Sequence, residues 1–165
     1  MGFELDSKRS VFNHYGVRTT NQKFGGNVDD EVIKFAAWTF DYNDLPAGGT
    51  SNLQMSIPAG ARILGAKLEI ITAFTSTSTT TDLTIGLEKA DGTDIDLDGL
   101  ITAAQATQTT IATAGNIIDG ASGTPAGLIN VTIGTSAGEL IVTPSAADLL
   151  TGRARLIVEY LVAGV

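Results

Sequence analysis

From residue 64 to residue 70 the apolar side chains Leu64, Ala66, Leu68 and Ile70 alternate with Gly65, Lys67 and Glu69. Side chains of a strand point to opposite faces in turn, whereas a helix repeats every 3.6 residues, so this stretch is a strand with one buried face. The same period returns at Leu83, Ile85 and Leu87, at Ile129, Val131 and Ile133, and at Leu156, Val158, Tyr160 and Val162, where Arg155 and Glu159 face outward. Trp38, Phe40 and Tyr42 share one face of an earlier strand, with Thr39 and Asp41 on the other. No helix-period segment is long enough for a bundle or a βαβ unit.

Between these runs stand turn signals: Leu45-Pro46-Ala47-Gly48-Gly49, Ile57-Pro58-Ala59-Gly60, and a Gly-rich stretch over 115–127 that opens with Ile117 and Ile118. The Thr/Ser tract at 75–81 reads as a flexible hairpin tip, and 91–99 as a second hairpin or loop. Short helical turns are expected over 100–106 and 144–150, and a further strand over 140–143. Seven or eight strands at roughly 8 to 15 residue spacing predict an all-β protein, a jelly-roll-like β-sandwich. A chain of 165 residues suits a single such body, assigned to residues 31–165.

The first 30 residues differ, mixing charge, aromatics, Asn and Gly without a sustained period, and are expected to form an extended N-terminal arm. Eight of the ten aromatic residues lie in the first 42: Phe3, Phe12, Tyr15, Phe24, Phe35, Trp38, Phe40 and Tyr42. Aromatics supply large buried areas and anchor interfaces, and Arg is enriched at binding hot spots. Phe3, Arg9, Phe12, Tyr15, Arg18 and Phe24 are therefore the candidate contact residues, while Trp38, Phe40 and Tyr42 belong to the core or subunit interface of the body.

Catalytic chemistry finds little support. His14 is the only histidine and sits between Asn13 and Tyr15 in the arm, without the orienting carboxylate and nucleophile that triad work needs. The absence of Cys removes disulfides, thiol nucleophiles and Fe-S clusters, and no nucleophile elbow or phosphate-cradling loop occurs. No catalytic residue and no cofactor are assigned.

Asp94, Asp96 and Asp98 before Gly99 match the opening of a calcium loop, but the twelfth position is Gln105 where a bidentate Glu is needed, and no entering helix precedes it. Ile95 and Leu97 fit a short strand facing inward, so the Asp residues are read as a solvated edge and no metal is assigned. A net charge of -8 with a pI near 4.4 leaves no footprint for nucleic acid. The apolar run at 156–165 contains Glu159 and is too short for a membrane span, and the first ten residues lack a signal-peptide core. A soluble protein made in a cytoplasm is expected.

The stretch Ile57-Pro58-Ala59-Gly60-Ala61-Arg62-Ile63-Leu64 through Thr72-Ala73-Phe74, and the closing Thr151-Gly152-Arg153-Ala154-Arg155-Leu156-Ile157-Val158-Glu159-Tyr160, resemble segments of the capsid decoration (cement) proteins of tailed bacteriophages. The resemblance implies a non-enzymatic, jelly-roll-like virion protein, usually a homotrimer. Such a protein binds the major capsid protein on the outer capsid surface, stabilises the head and reaches over neighbouring capsomers with its arm. The alternative is a head-spike, fibre or tail component that contacts the host surface through the Thr-rich tip at 76–81.

Overall fold

The computed structural model describes residues 33–45, 51–120, 127–145 and 149–162, with the side chains of 52–54 excepted. The arm over 1–30, with Phe3, Arg9, Phe12, His14, Tyr15, Arg18 and Phe24, lies outside them. Among the described residues the strands are β1 (Lys34–Asp41), β2 (Ser51–Ile57), β3 (Ala61–Ser76), β4 (Leu83–Glu88), β5 (Asp94–Ile101), β6 (Ile117–Asp119), β7 (Gly138–Pro144) and β8 (Leu149–Val162). One helical turn, α1 (Gln108–Ile111), interrupts them.

The pairing is nested. β1 pairs with β8, β2 with β7, β3 with β6 and β4 with β5, all antiparallel, as in one long hairpin. Rolling that hairpin up adds the β3–β8 and β4–β7 pairs and yields two four-stranded sheets, ordered β1-β8-β3-β6 and β2-β7-β4-β5. This is the jelly-roll order, and the all-β sandwich expected from the alternation is what the chain forms.

The core follows from the registers. Across the inner face of the first sheet run the rows Ala36, Val158, Ala66; then Trp38, Leu156, Leu68, Ile118; then Phe40, Ala154, Ile70. Small residues stand beside large ones within these rows, which lets them interdigitate with Leu83, Ile85, Leu87, Leu140 and Val142 of the second sheet. Phe40 and Phe74, both buried, pack with ring centroids 6.4 Å apart. Gly152 makes room for this pair: its φ is +137°, and a Cβ there would lie 2.0 Å from Phe74 Cδ1.

Several local expectations are corrected. Leu64, expected inward, is only half-buried: a bulge between Ile63 and Gly65 reverses the phase, so Ala61 and Ile63 enter the core instead. A further shift follows between Ile70 and Thr72, while Ile71, out of phase with buried Ile70, is exposed as the alternation requires. These bulges bend the 16-residue β3 along the sandwich. Tyr42 has left its strand: the Asp41 carboxylate accepts the Asn43 N–H (2.8 Å), Asp44 accepts the Asp41 N–H (2.9 Å), and 42–44 close into a 3-10 turn.

The 75–81 tract is not a hairpin tip, because β3 and β4 belong to different sheets. It is a crossing anchored by Thr81, which is fully buried and donates to Ser76 Oγ (2.9 Å), while the Ser76 hydroxyl also lies within hydrogen-bonding range of the Ser78 carbonyl and of Gln108 Oε1. The helix expected over 100–106 forms instead at 108–111, since Leu100 and Ile101 complete β5. Ser145 follows β7 and Leu149 already opens β8, so the helical turn expected over 144–150 does not occur at its described ends, and 146–148 lie outside the described residues.

Ile129, Val131 and Ile133 do not form a regular strand. Asn130 adopts φ +67°, which breaks the alternation, so Ile129 and Ile133 are buried and Val131 is exposed. The segment nevertheless hydrogen-bonds along β3, with Asn130 N–H on the Ile63 carbonyl and Ile133 N–H on the Ala61 carbonyl, both at 2.8 Å.

Candidate functional site

The three Asp residues lie along β5, the outer strand of the second sheet. The hairpin that presents them turns at Gly92 (φ +78°), with the Lys89 N–H bonded to the Thr93 carbonyl at 2.8 Å. Asp91 accepts the Thr93 N–H at 2.9 Å, and its contacts with Thr93 hold its carboxyl below the usual range. Ile95 packs against the core as expected, but Leu97 does not. Register shifts between β4 and β5 push 97–98 outward, and Leu97 is 37% exposed.

The cause is Gly86. A Cβ on this residue would lie 2.0 Å from the Asp96 carbonyl oxygen and 2.4 Å from the Leu97 carbonyl carbon, so the β5 backbone folds directly over the glycine. Asp96 is partly desolvated there and its pKa is raised, with burial the main cause and Asp98 a contributor. Asp96 Oδ1 accepts the Asp98 N–H at 3.3 Å. Gln105, the residue at the twelfth loop position, is committed at both ends: its Oε1 accepts from the Thr102 N–H (2.9 Å) and its Nε2 donates to the Asp119 carbonyl (2.6 Å). Among the described residues no three carboxylates or imidazoles gather into a metal-sized cluster.

The outer face of the first sheet has a different character. Its registers place Phe35 opposite Glu159, Ala37 opposite Ile157, Thr39 opposite Arg155 and Asp41 opposite Arg153, and continue Ile157 to Lys67 and Arg155 to Glu69. At the β6 side the Lys67 ammonium bonds Asp119 at 2.6 Å, and this contact raises the Lys67 pKa. Ile71 and Ile117 are exposed on the adjoining strands β3 and β6. Phe35 is 61% exposed and Ile33 stands exposed just before β1. Opposite charges in neighbouring register positions, interrupted by single large apolar groups, suit a contact surface.

Phe35 is the residue for which sequence reasoning found no role. The signal was present, since Phe35 is out of phase with Trp38 and Phe40, and a strand that buries even positions must expose it.

No family model and no curated protein matches the chain. Solved structures do. The fold aligns with a chain of the cyanophage Pam1 capsid asymmetric unit (TM-score 0.59, 16% identity, 92% of this chain and 97% of that one). It also aligns with a chain of the Ralstonia phage GP4 capsid (TM-score 0.52, 19% identity, 91% and 94%). A chain of the acid-stable capsid of Helicobacter pylori bacteriophage KHP30 gives a TM-score of 0.50 at 22% identity, over 81% and 90%. The class of protein is thus an eight-stranded jelly roll, a fold it shares at nearly full length with chains of phage capsid structures.

Proposed function

We propose that this chain is a non-enzymatic structural protein of a phage virion that decorates the head by binding the major capsid protein. The observation that carries the reading is the correspondence of the fold, over 81% to 92% of this chain, with chains from the capsids of three phages. In this reading the body, residues 31–165, assembles as a trimer on the outer capsid surface. The arm, residues 1–30, grips neighbouring subunits through Phe3, Arg9, Phe12, Tyr15, Arg18 and Phe24. Several modest contacts held in one trimer raise the effective concentration of each, which turns them into a tight lock on the shell. The acidic composition keeps such a surface from adhering to nucleic acid.

The alternative, a host-contacting spike, fibre or tail component, would use the 76–81 segment, which is anchored at Ser76 and buried Thr81 but exposes Thr77, Thr79 and Thr80. The test is co-sedimentation of full-length protein with expanded empty capsids. Replacing Phe3, Phe12 and Tyr15 together by Ala is expected to weaken capsid binding at least tenfold while melting temperature stays unchanged. Undiminished binding would reject the arm as the grip.

A further inference from the structure

A β-sandwich exposes four sheet edges, and proteins normally blunt them with charge, bulges, brevity or cover. Three of the four here are blunted. β5 is bulged and carries Asp94, Asp96 and Asp98; β6 is three residues long; β2 loses register between Asn52 and Ser56. β1 is the exception. It makes eight consecutive pairs with β8 without a register shift, contains no Pro or Gly, and has no second strand partner among the described residues. Such an edge offers about 26 Å of regular backbone donors and acceptors. Exposed Phe35 and Ile33 lie along it, and the buried Trp38 indole N–H finds no acceptor among the described residues.

We infer that the β1 edge receives residues 17–24 of a second copy of this chain, which add a fifth strand to the β1-β8-β3-β6 sheet. That segment is eight residues long, like β1, and carries Val17, Thr19 and Thr20, side chains suited to strands. Gly16 and Gly25 bound it, as turn residues bound a strand. Net charge favours contact between the segment and a body of this chain in general without singling out β1, where Lys34 and Asp41 offset each other: residues 1–27 hold four basic and two acidic side chains, net +2, which leaves -10 for the rest of a chain of net charge -8.

Geometry favours a second copy over the same one. To reach its own β1 the segment would have to reverse through the eight residues 25–32, longer than the usual hairpin loop and carrying Asp29, Asp30 and Glu31 in succession. Extended, those eight residues span up to about 28 Å, enough to cross to a touching neighbour. The added strand would supply main-chain hydrogen bonds to the β1 amides and carbonyls that β8 leaves unpaired. The inference rests on the assembly of several copies proposed above, but its test uses the protein alone and fails independently of capsid binding.

The experiment is amide hydrogen exchange on the full-length protein across a concentration series, with oligomer mass followed by light scattering. The expected result is at least tenfold slower exchange of alternate β1 amides, those not bonded to β8, as the oligomer forms. Phe35→Lys, on an exposed face and therefore compatible with folding, abolishes that protection. In parallel, co-expressed full-length Thr20→Cys and Thr39→Cys proteins, in a chain that has no native Cys, form a bis-maleimide crosslink between copies. Two outcomes overturn the inference: β1 amides that remain unprotected in the oligomer, or protection independent of oligomer formation accompanied by intrachain crosslinking in the Thr20→Cys/Thr39→Cys double variant.

Discussion

Replacing Gly152 by Ala tests the packing at the centre of this fold, because two separate costs meet at one atom. A φ of +137° is a region that side-chain-bearing residues avoid, and forcing one there costs about 1–3 kcal/mol. The new methyl would also lie 2.0, 2.3 and 2.5 Å from three atoms of the Phe74 ring, which is fully buried and cannot swing into solvent. Overpacking of this kind costs a further ~1–3 kcal/mol. The sum is about 4 kcal/mol, a large part of the ~5–15 kcal/mol that stabilises a domain, and equivalent to roughly 8–16 °C in melting temperature at this chain length.

The assay is denaturant unfolding at fixed protein concentration, read by the fluorescence of Trp38, the single tryptophan. Gly60→Ala is the control. Its φ of +72° is also positive, but a Cβ there meets nothing within 4 Å, so only a backbone cost of about 1–2 kcal/mol is expected. The double variant Gly152→Ala/Phe74→Leu should then recover about 1–2 kcal/mol relative to additivity, because a smaller side chain relieves the clash. If Gly152→Ala costs no more than Gly60→Ala, or if the double variant is additive within about 0.5 kcal/mol, the role assigned to the Phe74 contact is refuted.

Two further outcomes follow from the β4–β5 hairpin. Gly86→Ala sets a methyl against β5 backbone rather than a flexible side chain, and should cost about 3 kcal/mol and speed amide exchange over 94–101, measured by mass spectrometry. Asp96→Asn tests a desolvated carboxylate. Because the folded-state pKa is raised, ionisation disfavours the fold above that value, and the penalty is absent when pH falls below the unfolded value of 3.8. The amide should therefore raise stability at pH 7, by less than ~1 kcal/mol since Asp96 is only half-buried and solvent screens it, and leave it unchanged near pH 3 in paired melting curves.

Much of this architecture was legible from alternation alone. The mid-strand positions Ala66, Leu68, Ile70, Leu83, Ile85, Leu87, Leu156 and Val158 all enter the core as their period requires. The errors gather where one extra residue enters a strand. Leu64 and Leu97 stand beside bulges, and sequence carries no marker of a bulge when the extra residue is itself apolar. Phe35 was legible as an outward residue and only lacked a reason to be singled out.

Local chemistry therefore settled the class of structure: side-chain period fixes which face of each strand is buried, and Gly or Pro fixes where strands stop. Which strand lies beside which is a matter of long-range pairing. Only the tertiary structure decided that the 75–81 tract crosses between sheets, that a Cβ on Gly86 or Gly152 would meet its neighbours at 2.0 Å, and that β1 has β8 as its one strand partner among the described residues. Those facts depend on contacts between residues far apart in the chain, and such contacts leave no trace in the local period of the sequence.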